Sequence, residues 1–259
     1  MVTKLMDAPT EDEFVAADAP AVSRLSTVAL RERVYAELAN ALRSGRFAPA
    51  ATVTIRGLAA SLGTSTMPVR EAVSRLVTEG ALEMLPNRTL RVPAVSIARL
   101  DELIDARIAM ESHAAFRAAE RMTPAQFSAI KAANEIYSHA VDASNVQAAV
   151  AANEKMHFAI YRAAQSDLMF SIIEMLWLQS GPYIASIMKK MQAAQETLHD
   201  RGVMHHFNIL AALAKRDPEA ASAALKADIV DAAAWYKNQI FEVERDGAGP
   251  AGDGRQAQT

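Results

Sequence analysis

Residues 57–83 read GLAASLGTSTMPVREAVSRLVTEGALE, two short amphipathic patterns on either side of Gly63. Ile55, Leu58, Ala59 and Leu62 recur at i, i+3, i+4 and i+7, the apolar face of a short helix that Thr54 can cap and Gly63 can end. Val69, Ala72, Val73 and Leu76 repeat that spacing, so a second helix begins after a turn of about three residues, with Ser65 as its N-cap. Pro68 then falls in the first turn, where a missing N–H costs little. Helices joined this tightly must cross steeply, the geometry of a helix-turn-helix.

On the N-terminal side, Leu30, Val34, Leu38, Ala41 and Leu42 share one helical face, and Gly45 reads as its stop. On the C-terminal side, two short apolar runs, Leu82 to Leu85 and Leu90 to Pro93, flank the turn Pro86-Asn87-Arg88-Thr89 and read as a β-hairpin. Three helices and a hairpin make a winged helix. Its charge fits that reading. The chain carries a net charge of −3, yet residues 26–96 hold nine Arg and five Glu with no Lys or Asp, a net of +4 between acidic flanks. A basic island on a helix-turn-helix is the footprint expected where phosphates are met.

From Ser96 onward the pattern is helical throughout. Ser96 can cap a helix that ends near Met122, and Thr123-Pro124-Ala125-Gln126 is a capping box with Pro at the first helical position. Asn145 opens a third helix, and a longer one from Leu168 to Lys190 is expected to be interrupted by a kink at Gly181-Pro182. A fifth spans about Met204 to Lys215, and Asp217-Pro218-Glu219 starts the last. Six helices with short connections form an antiparallel bundle. The expected fold is therefore mainly α, an N-terminal winged helix-turn-helix followed by an all-α bundle. Its parts are a disordered leader over 1–25, a DNA-binding domain over 26–95, a helical domain over 96–244 and a disordered tail over 245–259.

Composition narrows the chemistry. With 51% hydrophobic and 22% charged residues, the 259-residue chain has the make-up of a folded protein. It has no cysteine, which excludes disulfides, thiolate metal sites and cysteine nucleophiles. No apolar run approaches the roughly 20 residues needed to cross a bilayer, and the N-terminus lacks a signal-peptide layout, so a cytoplasmic location and no membrane partner are expected.

The head resembles the GntR-type bacterial transcription regulators. The likeness runs from Val34 to Val92 and rests on LRSGRFAP, LAASLG, MPVREAVSRLVTEGALE and the wing PNRTLRV. It implies DNA contacts by Arg56, at the start of the second helix, and by Arg70, in the recognition helix. Physics agrees, because a recognition helix enters the major groove by its N-terminal residues. Ser65 and Thr66 offer hydroxyls and free N–H groups to a phosphate, and Arg88 in the wing can reach a neighbouring groove. For each Arg the alternative is a solvated surface charge. Three residues depart from the family pattern: Thr66 replaces a usual Arg, and Ala50 and Thr89 replace usual Gly. Losing an Arg contact of about 1–3 kcal/mol means the operator sequence cannot be carried over from relatives.

The helical part is similar to the FCD effector domain of the FadR subfamily, on the segments DARIAMESHAAFRAAERM, NEKMHFAIYRAAQSDLMFSIIEMLW and HHFNILAALAKRDPEAASAALKADIVDAA. Members commonly hold a divalent metal on an Asp and three His and use it to bind a small carboxylate effector. The corresponding residues are Asn153, His157, His206 and Asp228, with Asn in place of the Asp and Asp in place of the third His. Asn153 and His157 stand at i, i+4 on one helical face, and the set suits Zn²⁺, Ni²⁺ or Mn²⁺. The alternative is a polar pocket with hydrogen-bonded His and no metal.

Arg107 corresponds to the family's Arg that meets the effector carboxylate, with an ion pair to Glu111 at i+4 as the other reading. Tyr161, four residues after His157, can line the same pocket or belong to the core. His205 points about 100° away from His206 and reads as a surface residue. The resemblance implies a homodimer on palindromic double-stranded operator DNA, sensing a small organic acid, commonly as a repressor released by ligand. The competing function is a metal-dependent hydrolase on the bundle, against which stands the lack of HExxH, a Ser/His/Asp order or a phosphate loop.

Overall fold

The computed structural model describes residues 27–94, 96–193 and 199–247. The leader over 1–25 lies outside them. So does the tail from 248, whereas residues 245–247 still belong to the last helix, three residues beyond the expected end.

Helix α1 (Thr27–Arg43) leads into strand β1 (Thr52–Val53), α2 (Ile55–Ser61), α3 (Thr66–Thr78), β2 (Glu83–Met84) and β3 (Leu90–Arg91). The Thr54 hydroxyl accepts the Gly57 N–H at 3.0 Å and so caps α2. The chain then reverses through Gly63, whose φ of 60° is left-handed and favours a residue without Cβ. Ser65 is the N-cap of α3 by backbone geometry, but its hydroxyl makes no cap bond and is left free. The wing is a three-stranded antiparallel sheet in the order β1-β3-β2, not the hairpin alone. β1 is too short for an alternating pattern to show in sequence. Ala50, in the family's Gly position, still takes a φ of 63°, and Arg88 takes 61° at the wing tip, so both turns persist on side chains that favour them less than Gly does.

The bundle consists of α4 (Ile97–Arg121), α5 (Pro124–Asp142), α6 (Val146–Ala163), α7 (Asp167–Ala193), a π-helical turn (His199–Val203), α8 (Met204–Ala214) and α9 (Pro218–Gly247). Caps stand where the side-chain chemistry puts them. Ser96 accepts from the Arg99 N–H, Thr123 and Gln126 form the reciprocal capping box, Asn145 accepts from Ala148 and Asp217 from Ala220. No described helix is long and apolar enough to cross a membrane.

Helix α7 runs on across Gly181 and Pro182, so the kink expected there does not end the helix. These residues mark a close approach instead. A Cβ on Gly181 would lie 2.5 Å from the Arg43 Cα, and one on Gly45, at the end of α1, would lie 1.9 Å from the Ala185 Cβ. Leu178, one turn earlier on α7, is buried in the head's core with Val34, Leu38, Leu42, Val69, Val73 and Leu76. Arg43 also donates to Glu154 of α6 at 2.7 Å, and the Gln179 amide donates to the Glu79 carbonyl. Head and bundle therefore meet along α7 without room for an added methyl group. Gly181→Ala should push α1 off α7 and lower stability by roughly 1–3 kcal/mol, the range for overpacking. A denaturant titration checks this, and an unshifted midpoint would show that the seam yields.

Candidate functional site

The head's nine arginines divide into two groups. Arg31 pairs with Glu71, Arg43 with Glu154, Arg46 with Glu37, Arg75 with Glu79, and Arg91 with Glu83. Arg33, Arg56, Arg70 and Arg88 form no ion pair among the described residues, and all four are exposed. With Glu32 reaching Arg75 at 3.8 Å, all five of the head's glutamates are paired with its arginines. Free positive charge is left on α1, at the start of α2, on the outer face of α3 and at the wing tip. Ser65 and Thr66 lie at the N-terminus of α3, with Arg70 one turn further on.

The second site is a partly open cavity of about 70 Å³ within the bundle, with walls from α4 to α9 and the π-helical turn. Asn153, His157, His206 and Asp228 all face it, and so do Arg107, Arg201, His205 and Asp231. One donor atom from each of His157, His206 and Asp228 lies within 4.8 Å of the others. The folding reason is direct: the apolar faces of α6, α8 and α9 turn inward, and these polar residues interrupt them at one level of the bundle.

Hydrogen bonding determines which nitrogen His157 presents. Arg107 Nε and Nη2 donate to the two oxygens of Glu111 at 2.6 and 3.1 Å, and Nη1 donates to the Tyr183 hydroxyl at 2.7 Å. The Tyr161 hydroxyl donates to the same Glu111 carboxylate. Tyr161 has only one proton, so its oxygen accepts from His157 Nδ1–H at 2.9 Å. His157 Nε2 is then a bare lone pair facing the Asp228 carboxylate at 3.5 Å. Two acceptors set face to face require either a shared proton or a cation between them.

Protonation shifts point the same way. Burial, then the neighbouring His206 and Arg107, hold the His157 imidazole well below its usual range, so it is neutral. Burial, helped by His205, brings His206 down to about 3. Burial raises the Asp228 carboxyl to about 6, only partly opposed by His205 and Arg107. A neutral His206 has one N–H for two amide neighbours, Asn134 Oδ1 at 3.0 Å from Nδ1 and Asn153 Oδ1 at 3.1 Å from Nε2. When Nδ1–H donates to Asn134, the Nε2 lone pair is turned toward Asn153 and the cluster. Two imidazole lone pairs, a carboxylate and an amide oxygen form a donor set that fits a divalent metal, with Asn134 and Tyr161 behind the two His as orienting partners.

Three expectations change. Tyr161 does not line the cavity; it is buried behind His157, and its hydroxyl serves Glu111 and His157. Arg107 does reach the cavity wall, but Glu111 already occupies its fork and neutralises its charge; the pair is fully buried rather than at the surface. His205 is not a plain surface residue, since it borders the cavity with Nε2 at 3.4 Å from Asp231. Arg201, whose Nη1 donates to both Asp231 oxygens at 2.9 and 3.0 Å, also stands at this mouth. Helical periodicity does not extend to its π-helical turn, so the sequence offered no signal for it. Asn134 gave none either, being one polar residue among many on α5.

Comparison with known proteins agrees with this architecture. Residues 30–92 match the family described as bacterial regulatory proteins, gntR family, and residues 102–231 match the FCD domain. The chain is 29% identical over 200 residues to the HTH-type transcriptional regulator McbR of Escherichia coli K12, covering 77% of this chain and 89% of that protein. An uncharacterized HTH-type transcriptional regulator from Agrobacterium vitis is 29% identical over 133 residues, covering 50% and 78%. The solved structure of E. coli McbR superposes with a TM-score of 0.74 over 82% of this chain and 98% of that one, at 28% identity. A GntR-type structure from Rhodococcus sp. RHA1, at 21% identity and a TM-score of 0.65, shares the fold. These relatives are named as regulators of transcription, and the hydrolase alternative is set aside on that ground. The chain belongs to the GntR family of bacterial transcription regulators, a DNA-binding winged helix-turn-helix joined to an FCD domain.

Proposed function

We propose that Arg56, Ser65, Thr66, Arg70 and Arg88 form the operator-binding face of a cytoplasmic, homodimeric regulator. The observation that carries this reading is the sorting of charge, because these three arginines are among the four of the head that form no ion pair among the described residues. α3 enters the major groove, where Arg70 meets a base edge or phosphate. The free Ser65 hydroxyl and the N–H groups of the first turn meet the backbone, and Arg88 reaches past the wing. Two copies related by a two-fold axis read a palindrome.

In the bundle, Asn153, His157, His206 and Asp228 hold a divalent metal, Zn²⁺, Ni²⁺ or Mn²⁺, that acts as a Lewis acid toward a small organic acid. Charge balance supports this order of events. Arg107 is neutralised by Glu111 and Arg201 by Asp231, which leaves Asp228 as the cavity's uncompensated charge. A cavity in that state repels a carboxylate; with a divalent ion it attracts one.

Replacing both Arg56 and Arg70 by Gln should abolish binding to the intergenic DNA upstream of the gene in an electrophoretic shift while the melting temperature stays within a degree or two. Unchanged affinity would overturn the docking face. Elemental analysis of the purified protein should find about one divalent ion per chain, lost in His157→Ala. Organic acids should raise the melting temperature only in the metal-loaded form, and equal shifts after chelation would refute the metal-first order.

A further inference from the structure

Recognition helix α3 turns Met67, Arg70 and Ser74 outward in one stripe at i, i+3 and i+7. The other long exposed side chains of the helix are taken: Glu71 binds Arg31 of α1 at 2.8 Å, while Arg75 is held by Glu79 at 2.9 Å and lies over the Tyr35 ring. Met67 remains 63% exposed in the first helical turn, among the most exposed large apolar side chains of the described structure. It supports no core. Leu58, Val69, Val73 and Leu76 pack the inner faces of α2 and α3 without it.

A helix that enters the major groove by this turn presents Met67 to base edges. Those edges are donors and acceptors, which a thioether cannot match, with one exception: the C5 methyl group of thymine. We infer that Met67 reads thymine, packing its side chain on that methyl group, and that it supplies part of the sequence preference that the absent Arg at position 66 does not. Side chains at i and i+3 stand about 5–6 Å apart, so the thymine lies one or two base-pair steps of about 3.4 Å from the base or phosphate that Arg70 meets. This inference rests on the docking of α3 proposed above.

Deoxyuridine isolates the contact, because it differs from thymidine by that methyl group alone. The full-length protein is used to select its binding site from random duplexes, and each thymine of a half-site is then replaced singly by deoxyuridine. Wild type should lose roughly 3- to 5-fold in affinity at one thymine, or at two adjacent ones, the worth of burying one methyl group. Met67→Ala should bind the thymine and uracil duplexes equally, whereas Met84→Ala, an exposed apolar control on the wing, should keep the difference. No uracil penalty at any thymine, or a full penalty retained by Met67→Ala, would overturn the inference. The docking reading is judged apart from it, by the Arg56 and Arg70 variants, which are scored on total affinity and not on discrimination.

Discussion

Helix α7 has to serve two cores at once, and the rest of the molecule is arranged around that demand. Leu178 completes the core of the head, while Tyr183, Ile187, Met188 and Met191 line the cavity of the bundle. One helix can do both only if α1 comes within backbone contact of it, which requires Gly45 and Gly181 at the crossing. The seam is rigid for a packing reason: close-packed interiors do not deform continuously. A change in the cavity that shifted α7 along or about its axis would bear directly on α1, which packs against it at Gly45 and Gly181. The Arg43–Glu154 pair adds a second tie, since Glu154 follows Asn153 directly on α6.

A second principle, the pairing of charge, operates in both halves with opposite results. In the head, five glutamates bind arginines at structural positions, and what remains unpaired is displayed to solvent where a polyanion would dock. In the bundle, the pairing is internal. Arg107 and Glu111 are both buried, and a buried pair holds its geometry because separating it would leave an uncompensated charge in a medium of low polarity. That pair fixes the direction of the Tyr161 proton, Tyr161 fixes the tautomer of His157, and the lone pair of His157 is thereby pointed at Asp228. The cavity chemistry thus depends on a residue chain that begins with Arg107, though Arg107 itself has little charge to offer a ligand.

What the sequence determined by itself is the set of local elements and the identity of the domains. Caps at Thr54, Ser96, Thr123, Asn145 and Asp217 and the left-handed turn at Gly63 act within a few residues, so spacing along the chain was enough to read them. The same holds for the facing pair Asn153 and His157, one helical turn apart. What only the tertiary structure decided is everything that depends on which side chains meet across elements. The third strand of the wing exists because β3 offers it an edge. Pro182 sits within a continuous helix at the turn where Gly181 meets the backbone of α1. Arg107 is spent on Glu111 because burial makes the pair obligatory, and Tyr161 stands behind His157 with its hydroxyl donating to Glu111. Arg75 has Glu79 at i+4 and Arg70 has no such partner, a difference the chain already shows, but only the fold lays Arg75 over the Tyr35 ring. Charge pairing beyond one helical turn, as between Arg43 and Glu154, is a property of distances in space, and no spacing along the chain encodes it.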